Sequence, residues 1–238
     1  MKNNRRYILV LLFLSLVVTT NATTDSLAIY CSKFNDLNTA IRDGKLKKED
    51  AKSKFQVLMK RIDALSPKNM KAETPVFPLM GYDKKAVGGA NGNGYLYQGY
   101  DYFDGNRHKA HPAHDIFIND KNQDSKDDKT GKDVGVVACL DGVVVAAEPQ
   151  WEANSQLRGG KYIMVYVPAK KLFLYYAHNS SVLVDVGTKV TAGQLIAYCG
   201  RTGLNAAKKR SPTHLHFMVL SLDASYLPHA WNSWVWWK

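Results

Sequence analysis

The chain has 238 residues and a formal charge of +11, with 32 Lys and Arg against 21 Asp and Glu. That length holds one domain with a sizeable core plus a small accessory piece. Its three cysteines, Cys31, Cys139 and Cys199, show no Cys-x-x-Cys spacing, which argues against thiolate zinc binding and thioredoxin-like redox chemistry. An odd number leaves at least one unpaired in a monomer, and the apolar runs around Cys139 and Cys199 suit buried free thiols.

Lys2, Arg5 and Arg6 precede an unbroken apolar run from Tyr7 to Val18, with Ala22 as a small residue at a cleavage point. This is the order of a secretory signal peptide over residues 1–22. The run is too short for a membrane span, which needs roughly 20 residues, so no stable span is expected after cleavage. The protein is therefore expected to be exported, periplasmic or secreted. A basic surface raises encounter rates with polyanions. Export directs that attraction toward anionic wall polymers and away from nucleic acid.

Residues 25–65 read as helix. Leu27, Tyr30, Cys31, Phe34 and Leu37, then Phe55, Leu58, Met59, Ile62 and Leu65, recur at spacings of three and four. Asp43-Gly44 supplies a turn between two helices and Ser66-Pro67 ends the second. The expectation is a small helical hairpin over residues 23–73, serving as spacer, pro-segment or docking surface.

From residue 74 to 238 the pattern is different. Extended chain at Thr74–Pro78 and a Gly-rich loop at Gly88–Gly94 lead into short runs of β-branched and aromatic residues. These are Val134–Ala138, Val143–Ala147, Tyr162–Val167, Leu172–Tyr176, Leu195–Cys199 and Leu215–Leu220, separated by turn formers. The predicted class is mainly β: an antiparallel sheet, sandwich-like or a partly open barrel. Asp120–Lys132 reads as an exposed charged loop. The tryptophans at 231, 234, 236 and 237 read as packing of a terminal segment onto the sheet.

Histidine carries the chemistry. His214-Leu215-His216 lies in a strand pattern, where residues i and i+2 share a face, so both imidazoles emerge together. His111 and Asp115 flank the stiff Pro112 at a turn leading into a strand. His111, Asp115 and His216 make a plausible zinc set: two neutral nitrogens, one carboxylate and a position left for water. His178 follows a β run and is placed at a strand end or loop, within reach of such a centre. His108 and His114 are rival groups, ranked as neighbours or rim because adjacent strand residues point apart. Lys208-Lys209-Arg210 is placed at the groove rim.

The ordered set His-x-x-x-Asp, Tyr-x-His and His-x-His resembles the lysostaphin-type (LytM-type) zinc endopeptidases. Flanking segments agree: Asp141-Gly142-Val-Val, Gly187 to Ile196, and Cys199-Gly-Arg-Thr-Gly203 before His-x-His. The resemblance covers about Thr74 to Leu220. It implies an antiparallel β domain with one Zn2+ in a groove, ligated by His111, Asp115 and His216. It implies that His178 and His214 flank the reacting water, one as general base or oxyanion stabiliser and the other orienting water or substrate. The implied substrates are peptides of peptidoglycan, and the implied activity is endopeptidase cleavage. The alternative is a catalytically silent wall-binding scaffold that activates a separate amidase. Some relatives are held latent by an upstream segment, a role for which Asn91 or Asn93 is placed in the Gly-rich loop.

Overall fold

The computed structural model describes residues 26–70, 74–105 and 110–238; the expected leader at 1–22 and the rival His108 lie outside them. No helix among the described residues is long and apolar enough to cross a membrane.

Two helices come first, α1 over residues 26–42 and α2 at Lys48–Leu65. Between them Gly44 takes a positive φ of 65°, which closes the turn without a Cβ clash. Glu49 and Asp50 sit in the first turn of α2, where the helix dipole favours acids. The helix stops at Ser66, which is extended ahead of Pro67. The predicted apolar stripe is the buried one: Leu27, Cys31, Phe34 and Leu37 from α1, and Phe55, Met59 and Ile62 from α2. Phe34 and Phe55 meet edge to face at 5.3 Å.

Most of the rest is a nine-stranded antiparallel sheet. Its main path runs β1 (Ala113–Phe117), β10 (His214–Leu222), β7 (Leu172–Val182), β6 (Lys161–Val167), β5 (Gly142–Glu148) and β8 (Lys189–Val190). β11 (Pro228–Trp231) continues the edge beside β10, while β9 (Leu195–Cys199) pairs the far half of β7 and carries β4 (Gly135–Val137). Alternation along the strands makes two cores. Leu215, Phe217, Leu174, Tyr176, Ile163 and Val165 face back, against residues of β4 and β9. Phe173, Tyr166, Val145, Leu220 and Leu222 face forward into one cluster with the helices.

The helices are thus a layer on the front of the sheet, and the fold is mixed α/β rather than mainly β. The sheet branches without closing into a barrel or a two-sheet sandwich. Polar ties reinforce the packing: the Tyr166 and Tyr226 hydroxyls both donate to the Asp63 carboxylate at 2.7 Å. The expected strands appear within a residue or two of their predicted ends, except that β7 runs six residues further. The tryptophans pack as expected: Trp237 is buried, and Trp231, Trp234 and Trp236 lean on the back core. All three cysteines are buried and free.

The segment from Asp120 to Lys132 is more ordered than a charged exposed loop. It holds β2 (Lys126–Asp127), which pairs with β3 (Lys132–Asp133). Asp120 and Asp127 are buried. Asp120 accepts hydrogen bonds from the Ser125 amide at 2.9 Å and the Thr213 hydroxyl at 2.5 Å. Satisfying the carboxylate within the turn removes the cost of burying it.

Candidate metal centre

Register brings the predicted set together. Asp115 of β1 lies directly opposite His216 of β10, and both point to the front with His214. His111 sits just before β1, held by paired backbone hydrogen bonds with Leu96. His111 Nε2, His216 Nδ1 and Asp115 Oδ1 then form a nearly equilateral triangle with sides of 3.2, 3.1 and 3.2 Å. Bonds of about 2.0–2.1 Å to a tetrahedral ion place donors roughly 3.3–3.4 Å apart, so the triangle is close to one face of a zinc site.

Proton bookkeeping supports the same conclusion. His111 Nδ1 faces the Gly94 carbonyl at 3.3 Å and is the nitrogen that carries hydrogen. With a cation bound, Nε2 would offer it a lone pair; without one, Nε2 pairs with Asp115 Oδ1 at 3.2 Å, beside the ring nitrogen of His216. Two imidazole nitrogens 3.2 Å apart beside a carboxylate are a natural cradle for a cation, and the backbone carbonyl fixes the tautomer as outer partners of metal sites do. These three residues are the one group of such donors among the described residues that converges to within metal-binding distance.

Electrostatics of the set follow from burial and contact. Burial works to raise the Asp115 pKa, but hydrogen bonds from His111 and His216 prevail and hold it far below the usual carboxylate range. The bond to Asp115 raises His111. His216 is lowered, chiefly by burial.

His178 corrects its sequence placement. It lies inside β7, not at a strand end or in a loop. Between the Lys161–Asn179 and Ile163–Tyr176 pairs, β7 carries an extra residue, and His178 has a φ of 69°. Such a bulge re-aims a side chain, here toward the centre. The His178 ring lies 4.9 Å from that of His214 and 5.6 Å from that of His216. His178 Nδ1 donates to the Thr202 carbonyl at 2.8 Å, and His214 Nδ1 to the Pro212 carbonyl at 2.8 Å. Both therefore turn Nε2 inward, that of His214 to 3.7 Å from Asp115 Oδ1. Burial, followed by the charges of His216 and His214, lowers the His178 pKa to about 3.

The holders of these rings were not visible as motifs, because they are backbone carbonyls: Gly94, Thr202 and Pro212. One signal was available. A Cβ on Gly203, which has a φ of 117°, would stand 2.9 Å from His178 Nδ1, so only glycine leaves the ring its place. Thr202 is itself locked, accepting from the Lys161 amide and donating to the Asn179 carbonyl.

His114 stays apart. It points to the back, is 1% exposed and meets Asn232 Oδ1 at 3.0 Å, so it neither rims the groove nor touches a ligand. Lys208, Lys209 and Arg210 are exposed between Ala206 and Ser211, which line the cavity at the centre. That cavity has a volume of about 350 Å³ and takes in all five predicted site residues. Neither Asn91 nor Asn93 lines it.

Two imidazoles and one carboxylate, accessible from a cavity and flanked by two further imidazoles with Nε2 turned inward, define a metal-dependent hydrolase. Residues 124–228, less than half of the chain, match the family model described as Peptidase family M23, and the His–Asp–His set is the donor set of a zinc metallopeptidase. The match begins downstream of His111 and Asp115; Asp115 enters the site through the β1–β10 register and His111 through its pairing with Leu96.

Among solved structures, the chain is similar to a putative glycyl-glycine endopeptidase LytM from Ruminococcus gnavus, at 20% identity over 77% of this chain and 70% of that one, with a TM-score of 0.44. It is also similar to the catalytic domain of lysostaphin from Staphylococcus simulans, at 23% identity over 57% and 85%, with a TM-score of 0.36. A zinc-containing peptidase from Vibrio cholerae matches at 20% identity over 61% of this chain and 35% of that one, with a TM-score of 0.36.

Proposed function

We propose that the protein is an exported zinc endopeptidase that hydrolyses peptide cross-bridges or stem peptides of peptidoglycan. The observation that supports this most is the convergence of His111, Asp115 and His216 into a zinc-sized triangle, with His178 and His214 turned toward it. Peptidoglycan is the substrate that the family supports, and a basic exported chain suits anionic wall polymers.

His111, Asp115 and His216 would hold one Zn2+. When bound, the ion supplies Lewis acidity toward a peptide carbonyl and toward water. The remaining work falls to the flanking histidines. His178, neutral down to about pH 3, presents Nε2 as a proton acceptor at neutral pH. His214 presents a second Nε2 on the other flank. One takes the proton from the attacking water; the other, once protonated, stabilises the oxyanion or passes a proton to the leaving amine. Holding both Nδ1–H groups on carbonyls keeps either ring from turning its donor side to the water.

The test compares the purified protein with its His216→Ala variant. Bound metal is measured, and release of peptides from purified peptidoglycan is followed by mass spectrometry. The parent should hold about one zinc per chain and release fragments, and the variant should do neither. A parent that holds no zinc, or that holds it and releases nothing, overturns the reading.

A further inference from the structure

Tyrosine hydroxyls that line the cavity differ in one respect. The Tyr102 hydroxyl donates to Asn38 Oδ1 at 2.6 Å, and the Tyr162 hydroxyl accepts from Asn38 Nδ2 at 2.9 Å. Both are committed to α1. Tyr175 of β7 lines the same cavity and is half-buried, yet its hydroxyl finds no hydrogen-bond partner among the described residues. Its neighbours are rings: Tyr162 at 5.1 Å and, edge to face, His216 at 6.2 Å. A phenol is protonated at neutral pH, so both a donor and an acceptor stand unmet in the cavity. Polar groups in a partly dry site are ordinarily satisfied, and one left open beside a metal centre offers its hydrogen bond to what the site binds.

Strand register and one glycine place that hydroxyl. Across β7 and β10, Ala177 pairs with His216 and Tyr175 with Met218. The Tyr175 backbone therefore stands two residues, roughly 7 Å, from the row of the centre. Its side chain leans back over that gap. A Cβ added at Gly159 would stand 2.2 Å from the Tyr175 hydroxyl and 3.8 Å from Ala177 Cβ, so the hydroxyl ends beside the row of Ala177 and His216. Gly159 also lines the cavity, and its carbonyl accepts from the His178 amide at 3.0 Å. One glycine thus anchors the bulged histidine through its backbone and leaves the phenol its space.

An extended peptide advances about 3.4 Å per residue, so a hydroxyl on this row meets the peptide group at the centre or the one next to it. We propose that Tyr175 is a substrate-binding residue: its hydroxyl donates to a backbone carbonyl of the substrate within one residue of the bond that is cut, and Gly159 keeps the hydroxyl in place. The inference rests on the peptidase reading for its reaction, but the contact itself is testable by binding.

Tyr175→Phe removes the oxygen and keeps the ring. Zinc content and the thermal unfolding midpoint should match those of the parent, because no hydrogen bond within the protein is lost. On soluble peptidoglycan fragments kcat/KM should fall about five- to tenfold. Gly159→Ala reaches the same contact from the other side: the new methyl displaces the hydroxyl and should lower kcat/KM by a similar factor. With the oxygen gone, the next atom of the Tyr175 ring lies 3.5 Å from that methyl, an ordinary contact. Adding Gly159→Ala to Tyr175→Phe should therefore cost little more, where independent sites would multiply their losses. In parallel, the zinc-free proteins are titrated with the same fragments, and Tyr175→Phe should bind them about fivefold more weakly or worse. Equal binding by parent and Tyr175→Phe, or equal hydrolysis by the two, overturns the contact. So does a lower melting temperature or zinc content in Tyr175→Phe, which would make the hydroxyl a structural group. Multiplied losses in the double variant overturn the role of Gly159. Weakened binding by Tyr175→Phe beside a parent that binds but hydrolyses nothing would keep the contact and sink the peptidase reading instead.

Discussion

The two faces of β1 and β10 contain the same residue types in opposite circumstances. On the back, His114 lies among Phe217, Trp234 and Tyr95, with one ring nitrogen on Asn232. Burial lowers its pKa and keeps it neutral, and it acts as a packing group. On the front, one residue further along each strand, Asp115 and His216 meet each other and His111 with donors that no protein hydrogen satisfies in full. A histidine becomes a ligand here through what faces it across the register. The front face teaches a second lesson along its length. At the His216 end it opens to the cavity; four residues on, at Leu220, it is sealed by helices.

Substitution on each face should separate the two roles. Asp115→Ala takes the charge out of the metal set. Zinc content should fall to background and kcat/KM by more than about 10⁴-fold, since the Lewis acid and the proton-transfer step fail together. Thermal unfolding of the metal-free variant at pH 7 should fall below that of the metal-free parent, because His111 and His216 lose the carboxylate they pair with. Phe217→Ala does the reverse. It empties a fully buried site in the back core and should destabilise by about 3–5 kcal/mol, read by denaturant unfolding. Below its melting transition the variant should still bind zinc. Loss of zinc affinity in folded Phe217→Ala would show that the faces are not independent.

What was legible in the sequence divides along the same lines. Period-two alternation exposes His214 and His216 on one face, and period-three-and-four spacing exposes the stripes of α1 and α2; both are local patterns. His178 was misplaced because a bulge is a matter of partner-strand counting: the extra residue exists only relative to Lys161–Ile163. Asp120 and Asp127 were read as solvent-facing because charge suggests exposure, and the turn amides and hydroxyls that satisfy them carry no sequence mark. The helices were found, but not their place. The hairpin, read as a spacer, pro-segment or docking surface, shares a core with the sheet and lines the cavity, since Phe34 and Asn38 meet Phe173 and Tyr162, residues more than 100 positions away.

The smallest expected effect concerns acid, and it tests whether the front face is under tension without its ion. In the zinc-free protein His178 has a folded pKa of about 3, against roughly 6.5 for an unfolded histidine. Between those values the unfolded chain binds more protons, so stability falls as pH is lowered from about 6.5 toward 3. The lowered pKa of His216 acts in the same direction, and so does that of Asp115 below about pH 4. His111 acts against them. Its raised pKa contributes stability that is complete below its unfolded value and is lost as pH rises through the folded one. The residues on the front therefore partly cancel, and the net acid sensitivity should be modest. Melting of the chelator-treated protein at pH 7 and pH 4.5, beside His178→Phe, measures it. The substitution should flatten the pH dependence; an unchanged slope would mean that His178 is not held neutral by its surroundings.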